Sequence, residues 1–133
     1  MKNCVSKDLD MTDLRVLVVE DEFLLALAIE HALADAGCEV VGPFGRLSEA
    51  QQAARGADLD GAILDVRLHG ETVSPVADSL VRSGVPVLFA TAATADELPA
   101  RLSKLPRLSK PVDPRRLLAA AAHLFKTARA QPA

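Results

Sequence analysis

The chain has 133 residues, of which half are hydrophobic, so one domain with a substantial core is expected. Four Phe, no Tyr and no Trp mean that the core consists mainly of aliphatic side chains. The net charge of −3 gives no support for nucleic-acid binding. The N-terminus lacks the apolar segment of a secretory signal, and no apolar run is long enough to span a bilayer. We therefore predict a cytoplasmic protein that contacts neither nucleic acid nor membrane.

The cysteines and histidines indicate neither a disulfide framework nor a zinc site. Cys4 and Cys38 lie far apart in the chain, and no cluster of cysteine or histidine accompanies them. His31, His69 and His123 are isolated from one another. We expect no metal centre that is built from thiolate or imidazole ligands.

Residues 1–13 are polar and aperiodic, which predicts a flexible N-terminal tail. The chain then alternates between short apolar runs and segments with helical spacing. This alternation predicts five strand–helix pairs, with strands at 14–20, 39–45, 61–66, 85–91 and 106–110 and helices at 22–37, 47–56, 74–84, 94–104 and 113–129. We place the folded domain at 14–127 and a short C-terminal tail at 128–133.

The predicted helices carry signals along their length and at their ends. Four residues of the first helix recur at helical spacing: Leu24, Leu27, Ala28 and His31. Gly37 ends that pattern. Three later helices have predicted N-caps: Ser48, Ser74 and Asp113. Pro75 and Pro114 suit the first turns of their helices, whereas Pro99 predicts that the fourth helix is short or kinked.

Strands that are apolar throughout and alternate with helices predict a parallel sheet with helices on both faces. Right-handed crossover connections leave few topologies for five such strands. The predicted fold class is α/β: a (βα)5 doubly wound sheet in a three-layer sandwich, with the flavodoxin-like strand order 2-1-3-4-5.

Four predicted strands have polar residues at their carboxyl ends, and the first strand is followed by three such residues. The residues are Glu20, Asp21, Glu22, Asp65, Thr91 and Lys110. Ligands of doubly wound sheets bind in the crevice beyond these ends. Carboxylates that are packed together repel one another unless a cation joins them. Mg²⁺ fits best, because it takes one or two carboxylates, water molecules and a phosphate.

The same residues predict phosphoryl chemistry at Asp65. Its carboxylate would be the nucleophile, Mg²⁺ and Lys110 would cancel charge, and Thr91 would donate a hydrogen bond. Each residue also has a plainer interpretation: Asp65 as a turn residue, Asp21 as a helix cap, and Lys110 as a solvated surface lysine. Their common register at the strand ends favours the phosphoryl site.

Four segments, VLVVEDE, AILDVRL, VLFATA and LSKP, occur in order and at suitable spacing. Together they resemble the receiver domain of two-component response regulators over roughly residues 14–127. The resemblance implies that Asp65 accepts a phosphoryl group from a histidine of a sensor kinase or of a histidine phosphotransfer protein. It also implies that Thr91 and Lys110 contact the phosphoryl oxygens and that the Lys110–Pro111 bond is cis.

The resemblance further implies how Mg²⁺ would be held. Asp21 and Asp65 would bind the ion directly, and Glu20 would bind it through a water molecule. The main-chain carbonyl of Arg67 would be the third protein ligand. Glu20 departs from the family, in which aspartate is commoner at this position, and this changes the water-mediated contact rather than removing it.

Two further departures concern the family's conformational switch. Arg107 stands where the family has an aromatic residue, three positions before the lysine, so the usual coupled swing of a threonine and an aromatic ring does not carry over. The segment around Thr91 resembles an alphaproteobacterial receiver subclass that reads Phe-Ala-Thr-Gly. Ala92 replaces the glycine of that motif, and alanine is the stiffer residue.

The expected function is that of a single-domain response regulator and not of an enzyme, because only TARAQPA follows the last helix. Its output would be the binding of an unknown downstream protein. The face formed by the fourth helix, fifth strand and fifth helix would change its affinity for that partner, or would form a homodimer. The alternative is a receiver-fold interaction module that is independent of phosphorylation, which Arg107 and Ala92 favour. An enzyme for external phosphate esters would need a further acid or base, and only His69 is close in sequence.

Overall fold

The computed structural model of the chain describes residues 10–56 and 58–130. A single parallel sheet contains five strands: β1 (Arg15–Val19), β2 (Glu39–Phe44), β3 (Gly61–Leu64), β6 (Val87–Thr91) and β7 (Arg107–Ser109). A separate antiparallel hairpin contains β4 (Arg67–Leu68) and β5 (Glu71–Thr72). The helices are α1 (Phe23–Asp35), α2 (Leu47–Gly56), α3 (Ser74–Arg82), α4 (Ala100–Ser103) and α5 (Pro114–Ala130), and a 3-10 turn covers Ala95–Glu97.

The order of strands across the sheet is β2-β1-β3-β6-β7. Among the five strands of this sheet, counted along the chain, this is the predicted order 2-1-3-4-5, and the prediction of a doubly wound α/β fold is confirmed. The register aligns the carboxyl ends, since Val19 pairs with Leu64 and Thr91 pairs with Ser109. The polar residues at these ends therefore reach the same edge of the sheet.

The sheet separates two hydrophobic clusters. Successive residues of a strand point to opposite faces, so Val16 and Val18 lie in one cluster and Leu17 and Val19 lie in the other. The first cluster includes side chains of α1 and α5, and the second includes side chains of α2, α3 and α4. The molecule is thus the predicted sandwich of three layers.

The first strand position of β3 requires glycine because α5 approaches it closely. A Cβ atom at Gly61 would lie 2.4 Å from the ring of Phe125, which is fully buried. The aromatic ring fills the space that a side chain at position 61 would occupy. Packing between α5 and the sheet therefore depends on the absence of a side chain here.

Two of the three predicted helix caps differ in the structure. Helix α2 begins at Leu47, so Ser48 lies inside its first turn. In α3 the N-cap is Val73, and Ser74 is the first helical residue. The amide of Val73 donates to the carbonyl of Val66, which ties it to the segment after β3, and its own carbonyl accepts the first helical bonds. Buried anchoring of Val73 thus replaces capping by a hydroxyl.

The third predicted cap is confirmed, because Asp113 caps α5. Its side chain accepts a hydrogen bond from the amide of Arg115 at 3.0 Å. Its carbonyl accepts one from the amide of Leu117 at 2.9 Å. Pro114 is the first residue of the helix, as predicted.

Helix α1 is confirmed, but its predicted stripe faces solvent. The residues that the helix buries are Ala26, Ile29 and Leu33, whereas Leu24 is 77% exposed and His31 is also exposed. The helix is apolar on nearly all sides, so helical spacing identifies the helix without telling which side packs against the sheet. Phe23, at 75% exposed, lies beside Leu24 at the first turn.

The domain extends beyond the predicted boundaries at both ends. Met11 is fully buried and its amide donates to the carbonyl of Ala36, so this residue of the predicted tail belongs to the domain. Helix α5 continues to Ala130, and Arg129 donates a hydrogen bond to the carbonyl of Asp13 at 2.8 Å. The rest of the predicted N-terminal tail, with Cys4, lies outside the described residues.

The segment between β6 and β7 is broken as Pro99 predicts. A 3-10 turn ends at Glu97, and Pro99 is the N-cap of the four-residue helix α4. The hairpin β4–β5 was not predicted, because two-residue strands are too short to show alternation. Its turn residues His69 and Gly70 both have positive φ, which suits a type I′ turn. None of the helices in the described residues combines the length and the hydrophobicity that a membrane span requires.

Candidate phosphoryl site

Asp65 follows β3 and is buried at the edge of the sheet. The hydroxyl of Thr91, which ends β6, donates a hydrogen bond to Oδ1 of Asp65 at 2.7 Å. The ammonium of Lys110, just after β7, donates to Oδ2 at 2.8 Å. Adjacent strands therefore hold both oxygens of one carboxylate, as the register of the sequence predicted.

Lys110 also binds the acidic residues that follow β1. Its Nζ lies 3.0 Å from Oε2 of Glu20 and 3.2 Å from Oε1 of Glu22. Burial alone would lower the pKa of Lys110, but the hydrogen bonds to Asp65 and Glu20 outweigh it and raise the pKa above its usual value. Lys110 is therefore fully charged at neutral pH and provides the positive charge that balances these carboxylates.

Glu20, Asp21 and Asp65 form a cluster that suits a divalent cation. Each offers a carboxylate oxygen, and these oxygens lie within 4.8 Å of one another. Oε1 of Glu20 is buried and has no hydrogen-bond partner. Burial raises the pKa of Glu20. Because an unpartnered buried oxygen beside two further carboxylates disfavours negative charge, a hard ion with its water molecules fits the cluster.

The hairpin contributes a contact to this cluster that the sequence did not reveal. The amide of His69, in the turn of the hairpin, donates a hydrogen bond to Oδ2 of Asp21 at 2.9 Å. His69 thus lies beside the site, but the contact comes from its backbone and not from its imidazole. Its role as an acid or base near Asp65 stays untested.

The loop that follows Thr91 is held in place on both sides. The amide of Ala93 donates to the Thr91 hydroxyl oxygen at 3.0 Å, and the Arg107 guanidinium donates to the Ala93 carbonyl at 3.3 Å. Arg107, on β7, occupies the place of the family's aromatic residue and hydrogen-bonds to this loop. Thr91 faces Asp65 in this arrangement, and its hydroxyl is held between the Asp65 carboxylate and the amide of Ala93.

A polar cavity of about 320 Å³ opens onto Asp65. Its lining includes the loop after Thr91 and two charged side chains that face each other, Arg67 and Glu97. These two side chains form an ion pair. No sequence pattern connects them, because they are thirty positions apart and Glu97 belongs to a segment without clear periodicity.

The structure brings together five of the six predicted site residues: Glu20, Asp21, Asp65, Thr91 and Lys110. The sixth, Arg67, lies two positions after Asp65 at the start of β4, and its side chain lines the same cavity while it pairs with Glu97. The predicted coordination of Mg²⁺ by its main-chain carbonyl stays a prediction. The Lys110–Pro111 bond is cis, as the resemblance implied.

A doubly wound sheet that gathers an aspartate, a threonine, a lysine and an acidic cluster at its carboxyl edge has the architecture of a signalling receiver domain. The chain belongs to the response regulator receiver domain family, because the family model matches residues 16–122. Response regulators of two-component signalling are thus the relatives of this protein. No curated protein sequence gives a significant match to the chain.

Solved structures support the same family. SdrG from Sphingomonas melonis is 32% identical with a TM-score of 0.73, and the alignment covers 85% of this chain and 96% of SdrG. A response regulator receiver protein from Sinorhizobium medicae is 24% identical with a TM-score of 0.74, covering 86% and 96%. The latter identity supports the fold alone. The resemblance to the Phe-Ala-Thr-Gly subclass stays a prediction.

A third structure is the receiver domain of a sensor histidine kinase from Pseudomonas aeruginosa, which has a magnesium ion coordinated in its active-site cleft. It is 20% identical with a TM-score of 0.73, and the alignment covers 85% of this chain and 98% of that domain. The receiver fold therefore accommodates magnesium in that protein. In the present chain, the acidic cluster supplies suitable ligands at the edge of the sheet.

Proposed function

We propose that this protein is a phosphoacceptor of a two-component phosphorelay. Asp65 receives a phosphoryl group from a histidine of a sensor kinase or of a histidine phosphotransfer protein. One observation supports this above all others: both oxygens of Asp65 are bound by Thr91 and Lys110 at the floor of a polar cavity. A structural aspartate would have no need of an opening to solvent that is lined by charged and hydroxyl side chains.

The chemistry is a single in-line transfer. An oxygen of the Asp65 carboxylate attacks the phosphorus atom, and the bond between phosphorus and the donor imidazole nitrogen breaks. The electron pair of that bond stays on the imidazole, which leaves as a neutral ring when its other nitrogen carries the proton. An acyl phosphate forms on Asp65, and Thr91 and Lys110 transfer their hydrogen bonds from the carboxylate to the phosphoryl oxygens.

Charge decides whether this transfer can proceed. A dianionic phosphoryl group approaches Glu20, Asp21 and Asp65, and Lys110 alone cannot balance all three carboxylates and the phosphoryl group. Mg²⁺, bound by Asp21 and Asp65 and through water by Glu20, would neutralise phosphoryl oxygens during the transfer. We propose that this ion is the cofactor, since its ligands are present and one buried oxygen of Glu20 lacks a partner.

A labelling experiment tests the proposal. The protein is incubated with Mg²⁺ and acetyl phosphate, and its intact mass is measured with and without EDTA. We expect the parent to gain one phosphoryl group only when Mg²⁺ is present. Asp65→Asn should gain none, whereas Asp35→Asn, the same change at an exposed position of α1, should label like the parent. Equal labelling of Asp65→Asn would refute the site.

The phosphodonor must cover the rim of this cavity, and the first turn of α1 is suited to receive it. Phe23 and Leu24 are 75% and 77% exposed, and they follow the acidic residues of the site directly. Exposed side chains of this size rarely cluster on a free surface. We propose that the donor protein packs against them while its histidine reaches Asp65.

Transfer rates separate this docking role from the chemistry. Leu24→Ser should slow phosphotransfer from a histidine kinase that phosphorylates the parent, while labelling by acetyl phosphate stays unchanged. Val81→Ser, at a half-exposed valine of α3, is the matched control and should affect neither rate. Equal loss with both phosphodonors would show that Leu24 supports the fold of the site and not the docking of a partner.

We propose that the protein signals by binding a downstream protein and is not an enzyme. The face formed by α4, β7 and α5 remains the predicted surface for that partner or for a homodimer. A cytoplasmic location stays a prediction.

A further inference from the structure

The ion pair between Arg67 and Glu97 spans the mouth of the phosphoryl cavity. Arg67 belongs to the hairpin and lies two residues after Asp65, whereas Glu97 ends the 3-10 turn of the opposite loop. Both side chains line the cavity together with Asp65 and Thr91. Any phosphoryl group on Asp65 must therefore enter a space whose wall contains a paired guanidinium and carboxylate.

The two partners differ in how firmly each is held. The side chain of Arg67 is largely exposed, and its only ion-pair partner among the described residues is Glu97. Glu97 is fixed to its own turn, because its Oε2 accepts a hydrogen bond from the amide of Thr94 at 2.9 Å. Arg67 can thus change partner by rotating its side chain, whereas Glu97 can leave only if the 3-10 turn moves.

We propose that Arg67 is a phosphoryl-sensing residue that exchanges Glu97 for the phosphoryl group on Asp65, and that this exchange releases the segment 94–103. The inference rests on the proposed phosphorylation of Asp65. In the family, an aromatic residue takes part in the conformational switch, and Arg107 stands at its position in this chain. The ion pair of Arg67 and Glu97 would take over that switching role.

Electrostatics favours the exchange. A guanidinium binds phosphate oxygens in a bidentate, charge-assisted manner, and the dianionic phosphoryl group carries more charge than the single carboxylate of Glu97. Once Arg67 has turned away, Glu97 faces the phosphoryl group without a counter-ion and is repelled. The free carboxylate is then more stable in solvent, which draws its turn away from the cavity.

The released segment is anchored weakly enough to respond. Helix α4 has only four residues, and the segment 94–103 buries two side chains, Leu98 before the helix and Leu102 within it. Arg101 holds α4 to α3 through an exposed ion pair with Asp78, at 2.8 and 2.9 Å. A segment with two buried side chains and one short helix moves at lower cost than α5, which buries four along seventeen residues.

Kinetic coupling between the two residues tests the exchange. Initial rates of labelling by acetyl phosphate with Mg²⁺ are measured for the parent, Glu97→Gln, Arg67→Gln and the double variant. Glu97→Gln frees Arg67 for the incoming phosphoryl group, so we expect labelling about two- to fivefold faster, in keeping with an ion pair whose arginine is largely exposed. Arg67→Gln should label more slowly than the parent, and the double variant should match Arg67→Gln.

Hydrogen exchange gives a readout that does not require phosphorylation. In the unmodified protein, Arg67→Gln and Glu97→Gln should each increase amide exchange in 94–103, and the double variant should show no further increase. Phosphorylation of the parent should increase exchange in the same segment. Glu71→Gln, which removes a carboxylate from the exposed strand β5 of the same hairpin, is the control and should change neither exchange nor labelling.

Distinct outcomes would overturn the two proposals separately. If Glu97→Gln accelerates labelling equally when Arg67 is absent, Glu97 acts only by its charge, and the exchange of partners is wrong. If the parent labels but segment 94–103 exchanges no faster, the release is wrong and the phosphoacceptor stands. If no variant labels although the pair alters amide exchange, the phosphoacceptor function is wrong, and the sensing role falls with it.

Discussion

Replacing Lys110 with glutamine most directly tests how the site is stabilised when it holds neither Mg²⁺ nor a phosphoryl group. The ammonium of Lys110 lies 2.8 Å from Asp65 and 3.0 Å from Glu20, and only 16% of its side chain is exposed. The amide of glutamine can donate hydrogen bonds but carries no charge. The variant therefore leaves a buried group of carboxylates without their counter-ion.

The magnitude follows from distance and burial. At an effective dielectric constant of about 20, two opposite charges 3 Å apart attract by about 5 kcal/mol, and desolvation offsets much of this. Loss of one partner of a buried ion pair costs about 3–5 kcal/mol. Because Glu20 can take up a proton more easily than an ordinary glutamate, we expect the free energy of unfolding to fall by about 2–4 kcal/mol.

Urea unfolding at pH 7 in EDTA measures this loss. Since the pKa of Lys110 is higher in the folded protein than in the unfolded chain, its contribution is complete at neutral pH and disappears only as the pH rises through the folded pKa. Addition of Mg²⁺ should stabilise the variant more than the parent, because the ion binds only the folded cluster, and that cluster has lost its lysine.

Lys104→Gln provides the control, since it removes the same charge from an exposed position. It should lower the free energy of unfolding by less than about 0.5 kcal/mol. Equal losses in the two variants in EDTA would refute the view that Lys110 balances the carboxylates. So would a Mg²⁺ response of Lys110→Gln that is no larger than that of the parent.

Three further substitutions or reactions test the packing around the site. Gly61→Ala should lower the free energy of unfolding in urea by about 1–3 kcal/mol, because its Cβ would lie 2.4 Å from the Phe125 ring. An unchanged midpoint of urea unfolding would show that the ring moves freely. Thr91→Val should cost about 1–3 kcal/mol in the same assay, since Asp65 and the amide of Ala93 each lose a hydrogen bond. Burial raises the pKa of Cys38 to about 12. In a Cys4→Ser background, a thiol reagent at pH 8 should therefore modify Cys38 much more slowly in the folded than in the urea-unfolded protein. Equal rates would contradict its burial.

The sequence predicted the sheet and the site well because both depend on strands. Each buried strand ends where its apolar run ends, so Asp65 and Thr91 could be placed at the same edge without knowledge of the helices. Lys110 followed from the same register. Its additional contact with Glu22 was not predicted, since it depends on how the first turn of α1 leaves the sheet.

The features that were missed depend on contacts rather than on patterns. The face that α1 buries could not be chosen, because apolar residues surround that helix, and Leu24 proved to be exposed. Ser74 lost its predicted cap role to Val73, whose position is fixed by the hairpin. The pair of Arg67 and Glu97 joins two irregular segments, and no periodicity relates them.

The division of the interior by the sheet bears on how the protein can be altered. Ile29 packs on the side of α1 and α5, and Leu80 packs on the side of α2 and α3. Because the strands separate them, truncations at these two positions share no cavity and should combine additively to within about 0.5 kcal/mol. The half of the interior that contains Ile29 can therefore be redesigned for stability while the other half, which anchors Leu98 and Leu102 of the segment 94–103, keeps its native packing.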